Sequence, residues 1–164
     1  MICIGIDIGL TGAVAAVDSR GSCQVADIPV RQDGNTNRID GRALILMLRN
    51  FLPADGSGIV LFEDVRARPD GNGGSHGNTM HSQGSLMRSR GIVEAVLDIQ
   101  RVRVEVVQPQ VWKRAFGLLG KTKDDARITA MELYPLRKHE LRLKKFHNRG
   151  DAILIAHFGL GKYV

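Results

Sequence analysis

Between Ile2 and Asp18 the apolar residues fall into two short β-rich runs, separated by Gly9, Leu10, Thr11 and Gly12. That pattern predicts an antiparallel hairpin, and Ser22 to Val30 is expected to add a third strand. The period then changes. Ala43, Leu44, Met47, Leu48 and Phe51 recur at helical spacing, Asp40 can cap the helix they imply, and Pro53 ends it. Gly58 to Val65 returns to a near-continuous apolar strand. Residues 66–82, RARPDGNGGSHGNTMHS, are rich in glycine and nearly devoid of apolar side chains, so they cannot pack a core and are expected to form a mobile loop. A helix over Ser82 to Ile99 follows, then a strand over Val102 to Val107 and a helix with Pro109 in its first turn. Two further helical patterns, Lys123 to Tyr134 and about Arg149 to Leu160, complete the chain.

Three strands able to form an antiparallel meander, followed by helix, strand, helix, strand and terminal helices, predict a five-stranded mixed sheet flanked by helices. This α/β order is that of the ribonuclease-H-like fold. With 164 residues and 43% hydrophobic content, a single domain over residues 1–164 is expected.

Charge sharpens the picture. Residues 1–100 hold 9 basic and 11 acidic side chains, residues 101–164 hold 14 and 6, and every lysine lies at or after Lys113. Positive charge concentrated on late elements predicts a polyanionic partner, nucleic acid before others, against the plainer reading of a solvated basic surface. The chain opens directly into a strand pattern and has no apolar run near the roughly 18 residues of a membrane span, so a cytoplasmic protein without a membrane partner is expected. Cys3 and Cys23 lie in apolar, strand-like segments without CxxC spacing, which predicts buried thiols rather than a disulfide or a zinc site.

Three acids stand where strands or helices would present them to a shared pocket: Asp7 in IGIDIG, Glu63 in IVLFEDV and Asp151 in HNRGDAILIA. A carboxylate at the end of a buried strand is costly unless something compensates its charge, and a divalent cation would do so. Oxygen ligands without a cysteine or paired-histidine site favour two Mg2+ ions, with Mn2+ as substitute, in a phosphodiester-cleaving centre. His147 lies four residues before Asp151 and would share its helix face, as ligand or as orienter of the attacking water; Asn148 is the alternative for that place. Plainer readings stand beside these: His147 could simply end the basic run LRLKKFH, and Asp7 could be a solvated turn aspartate. DIGLTG also resembles the phosphate-binding opening of actin-like ATPases and sugar kinases, but those proteins use two copies of the fold, more than this length holds. Lys113, Arg114, Lys121 and Lys123 surround a GLLGK turn and can meet backbone phosphate, as can Arg66, Arg68, Arg88 and Arg90 around the glycine-rich loop. Trp112 can stack on a base, although in VWKRAF it fits better as a helix residue packed on the sheet.

Four segments, IGIDIGLTGAVA, the strand ending FEDV, PQVWKRAFGLLGKTKDDAR and KKFHNRGDAILIA, together resemble the RuvC-type Holliday-junction resolvases, especially the compact RuvC-like endonucleases of bacteriophages and prophages. The resemblance runs in the family's order over nearly the whole chain. It implies a homodimeric, Mg2+-dependent endonuclease that nicks two strands of like polarity at a four-way DNA junction. It puts Asp7, Glu63 and Asp151 in the acidic site, His147 or Asn148 in the remaining place, and Lys113 and Lys123 as the basic active-site residues. The sequence departs from the cellular resolvases in having no Phe, Tyr or Trp over residues 66–85, where those enzymes carry an aromatic wedge; Met80 and His81 are the side chains available there. The apolar helix with Leu86, Ile92, Val93, Val96 and Leu97 either supplies the dimer interface or packs on the sheet. Competing readings are a ribonuclease H acting on RNA–DNA hybrids and a non-catalytic module binding branched DNA by charge.

Overall fold

Odd and even positions of the first strands part company. In β1 (Ile2–Asp7), Ile4 and Ile6 turn to one face of the sheet while Cys3 turns to the other. The same division runs through β2 (Ala13–Asp18), where Ala13, Ala15 and Val17 oppose Val14 and Ala16. With both faces apolar, the sheet must be covered on both sides. The structure, a computed structural model, describes residues 1–66 and 79–163.

β3 (Cys23–Asp27) pairs antiparallel with β2, and after a separate ribbon of β4 (Val30–Asp33) and β5 (Thr36–Ile39) the chain enters α1 (Gly41–Phe51). β6 (Gly58–Glu63) joins β1 in parallel, α2 (Met80–Gln100) follows, and β7 (Arg103–Val107) joins β6 in parallel. The rest is helical: α3 (Pro109–Ala115), α4 (Lys123–Leu133), the short α5 (Lys138–Leu141) and α6 (His147–Tyr163). The sheet runs β3-β2-β1-β6-β7, the five-stranded mixed sheet expected, with β1, β6 and β7 parallel. Leu44 and Leu48 of α1 and Val93, Val96 and Leu97 of α2 cover one face; Trp112, Ala126, Ala130 and Ile153 to Ala156, from α3, α4 and α6, cover the other.

Asp40 caps α1 through the amides of Arg42 and Ala43, as its position implied. Several boundaries differ from expectation, and one ribbon was not anticipated. The third strand ends at Asp27: the Ile28 amide makes the last bond to the β2 side, at 2.9 Å from the Gly12 carbonyl, and Pro29 follows. The polar residues after it form the β4–β5 ribbon, turning at Gly34 with φ 61°. β6 ends at Glu63 rather than Val65, and α6 begins at His147, two residues before Arg149. Most of the glycine-rich segment, residues 67–78 with Arg68, lies outside the described residues. Cys3 and Cys23 are free and buried. Among the described residues no helix is long and apolar enough to cross a membrane.

Candidate active site

Asp7 is the last residue of β1 and Glu63 the last of β6. The two strands are parallel neighbours with Ile6 opposite Phe62, so both carboxylates leave the sheet at the same end, side by side. The third acid comes from α6, which crosses β1 at very close range. A Cβ on Gly5 would overlap the backbone of Ala152 and Ala156, so only glycine lets the helix lie this near the strand.

Two side chains fix the first turn of α6. Asn148 donates its amide to the carbonyl oxygen and hydroxyl of Thr11 at 2.6 and 3.1 Å, tying the helix to the β1–β2 turn. Arg149 forks onto Asp27 of β3 at 2.6 and 2.7 Å, donates to the Glu140 carbonyl at 3.0 Å and stacks over the Phe146 ring. The Asn148 nitrogen is thereby engaged, and His147, four residues before Asp151, shares its helix face. Its Nδ1 meets the Lys144 carbonyl at 3.2 Å. A carbonyl can only accept, so Nδ1 carries the proton of this bond and Nε2 keeps the lone pair that a neutral imidazole offers to a metal or a water.

Trp112 reaches Glu63 from α3. The indole has no solvent-exposed surface, and its Nε1 donates to Glu63 Oε1 at 2.7 Å. The next residue, Lys113, turns its ammonium over the same indole. Lys123 opens α4, whose start is set by a capping box between Thr122 and Asp125. Positive φ at Gly117 and Gly120 bends the intervening GLLGK turn.

Electrostatics ties these groups into one pocket. The Asp7 carboxyl is pushed well above the usual carboxylate range by burial first, then by Asp151 and Glu63, while Lys123 and Lys113 pull it back. The Asp151 carboxyl is pushed up to about 7 by burial and by Glu63, opposed by Lys113 and Lys123. Among the described residues no three acid, imidazole or thiol groups stand close enough, as their side chains lie, to form a ready-made metal cage. Mutual repulsion among the acids acts in that direction. The donor set itself, three carboxylates within electrostatic reach of one another, suits a hard divalent cation.

No family model matches the sequence, and no curated protein does. Solved structures do. RuvC of T. thermophilus in complex with a Holliday junction substrate has a TM-score of 0.60 at 16% identity, covering 95% of this chain and 90% of that one. The Holliday junction resolvase of fowlpox virus has a TM-score of 0.56 at 16% identity, covering 100% of both chains. The chain has the RuvC-type resolvase fold. At this identity the likeness is one of fold.

In this resolvase fold the expected basic residues separate into two sets. Lys113 and Lys123 lie near enough to shift Asp7 and Asp151, and Arg114 and Lys121 are exposed on the same turn. Arg66, Arg88 and Arg90 are already engaged. Arg66 pairs with Asp64 at 2.6 Å, Arg88 with Asp33 at 2.8 Å, and Arg90 with Asp64 and Glu94 at 2.9 and 2.8 Å. Arg90 also donates to the Val65 carbonyl and lies over Phe62, so it holds the segment after Glu63 against α2. A phosphate would have to displace these partners. Complete burial removes Trp112 from any base-stacking role and gives it instead a contact the sequence did not announce. The usable signal was chemical: a buried indole N–H must find an acceptor, and the nearest strand end carries Glu63.

Proposed function

We propose that this protein is a structure-selective DNA endonuclease that resolves four-way junctions or related branched DNA by phosphodiester hydrolysis. The carrying observation is that acids from β1, β6 and α6 meet at one end of a resolvase-type sheet, where burial and mutual repulsion raise the carboxyls of Asp7 and Asp151. Such a cluster of like charges calls for a cation. Asp7, Glu63 and Asp151, with His147, would hold two Mg2+ ions, or Mn2+ in their place. Bound there, the ions supply an activated water and stabilise the leaving oxygen. The protein's own contributions are separable. Asp7 and Glu63 present oxygens from strand ends, His147 offers Nε2 to a metal or a water, and Lys113 and Lys123 offset charge on the scissile phosphate. Lys121 and Arg114 extend that surface along the DNA backbone, and Arg66 and Arg88 contribute where they exchange carboxylate for phosphate. The active form is a cytoplasmic homodimer, since two sites related by a two-fold axis match a two-fold symmetric junction.

The test presents labelled four-way junction, linear duplex and RNA–DNA hybrid to wild type and Asp7→Asn, with Mg2+ or EDTA. Paired symmetric nicks on the junction are expected, lost in EDTA and reduced by several orders of magnitude in the variant. Cleavage of the hybrid alone would make the protein a ribonuclease H, and junction binding without cleavage would make it a binding module.

A further inference from the structure

We infer that Trp112 is a positioning residue that fixes which oxygen of Glu63 faces the acidic pocket, an inference that rests on the metal-site reading above. A glutamate side chain has three rotatable bonds, and at a strand end bordering solvent it would sample many orientations. Glu63 is held by a hydrogen bond of 2.7 Å from the Trp112 indole to Oε1, a charge-assisted bond in a sheltered place. The donor itself cannot wander. Trp112 is fully buried in the cluster that contains Ile59, Leu61, Val107 and Leu118, so the indole plane is set by core packing rather than by Glu63. Pro109 at the first turn of α3 fixes the entry of the helix that carries it.

The choice of donor matters chemically. An indole N–H donates and never accepts, does not titrate at working pH and cannot bind a cation. It can therefore orient a metal-binding carboxylate without competing for the metal or releasing the carboxylate as pH changes. With Oε1 engaged by the indole, Oε2 is the fully unengaged oxygen left for the Asp7 and Asp151 side. Lys113, the next residue, lies over the indole ring, so helix α3 delivers the orienting donor and a pocket cation together.

The chain contains a single tryptophan, so its tryptophan emission comes from the one indole bonded to the proposed ligand. Titrating wild type with Mg2+, followed by both calorimetry and tryptophan emission, should show an emission change that saturates with the calorimetric binding curve. Metal binding without any emission change would overturn the coupling. Trp112→Phe keeps an aromatic ring in the core and deletes the N–H. With circular dichroism unchanged, it should weaken Mn2+ binding by about 10-fold or more, as measured by the paramagnetic resonance of free Mn2+. Wild-type Mn2+ affinity in a folded Trp112→Phe protein would reduce Trp112 to a core residue and overturn the proposal. Absence of Mg2+ and Mn2+ binding by the wild type would instead bring down the metal-site reading, and the inference with it.

Discussion

Asp151 illustrates what the pocket demands of single residues. Its carboxyl is pushed from an ordinary 3.8 to about 7 by burial and by Glu63, and Asp7 is raised as well. Between those two pH values the folded protein binds a proton that the unfolded chain has released. Stability therefore falls as pH rises through the window, and above about 7 the whole cost of burying the Asp151 charge beside Glu63 is present. Asp151→Asn abolishes that cost without changing side-chain size. In EDTA at about pH 8 the variant should melt higher than wild type, by about 2–4 °C for each kcal/mol of relieved cost. Near pH 4 the advantage should shrink toward zero, because the wild-type carboxyl is then already protonated in the fold. An equal gain at both pH values would mean that the substitution acts through packing. Metal affinity has the opposite slope, since a cation must displace the same protons.

At the scale of elements, α6 sets the distance between Asp151 and the strand-borne acids, and its seat against α4 depends on Gly150. A Cβ there would stand 2.8 Å from Arg127 Cα and 3.2 Å from its nitrogen. Arg127 cannot retreat, because its guanidinium bonds the Leu141 carbonyl at 2.6 Å and Asp124 at 2.8 Å. Gly150→Ala must therefore lift α6 and carry the adjacent Asp151 with it. We expect a loss of about 1–3 kcal/mol in urea unfolding and a larger proportional loss of cleavage. Gly161→Ala, where a Cβ meets nothing within 4 Å, should be neutral or slightly stabilising through helix propensity. The elements themselves were largely legible from periodicity and caps: Asp40 and Pro109 mark helix starts, and apolar runs mark the strands that end at Asp7 and Glu63. What escaped has a physical explanation. The β4–β5 ribbon has apolar residues only at its ends, Val30 and Ile39, so it carries no alternation to read, and only the Asp33–Gly34 pair hinted at a turn. The ties of Asn148 to Thr11, Arg149 to Asp27 and Trp112 to Glu63 join residues far apart in sequence, and nothing local encodes them.

For the whole molecule, the question is which surface would bring two sites together. α2 turns Val93, Val96 and Leu97 inward onto its own sheet, with Leu86 and Ile92 packed against the same cluster, so these residues are not free to bind a partner. Its solvent face is different in kind. Gly84, Arg88, Gly91, Ala95 and Ile99 are exposed along one side, and a Cβ on Gly84 or Gly91 meets nothing within 4 Å. Small residues on a helix face let a second helix approach closely, and in a two-fold pair the residues nearest the axis lie near their own symmetry mates. If the proposed dimer forms through this face, Ala95→Glu puts like charges opposite each other across the axis while leaving the monomer's core untouched. The variant should run as a monomer in light scattering with circular dichroism unchanged, its own stability shifting by no more than about 0.5 kcal/mol. On a four-way junction it should make single, uncoordinated nicks where wild type makes pairs. A variant that stays dimeric and still cuts in pairs would move the interface to another face and leave the active site as proposed. A wild type that is itself monomeric yet nicks in pairs would break the link between two-fold assembly and paired cutting.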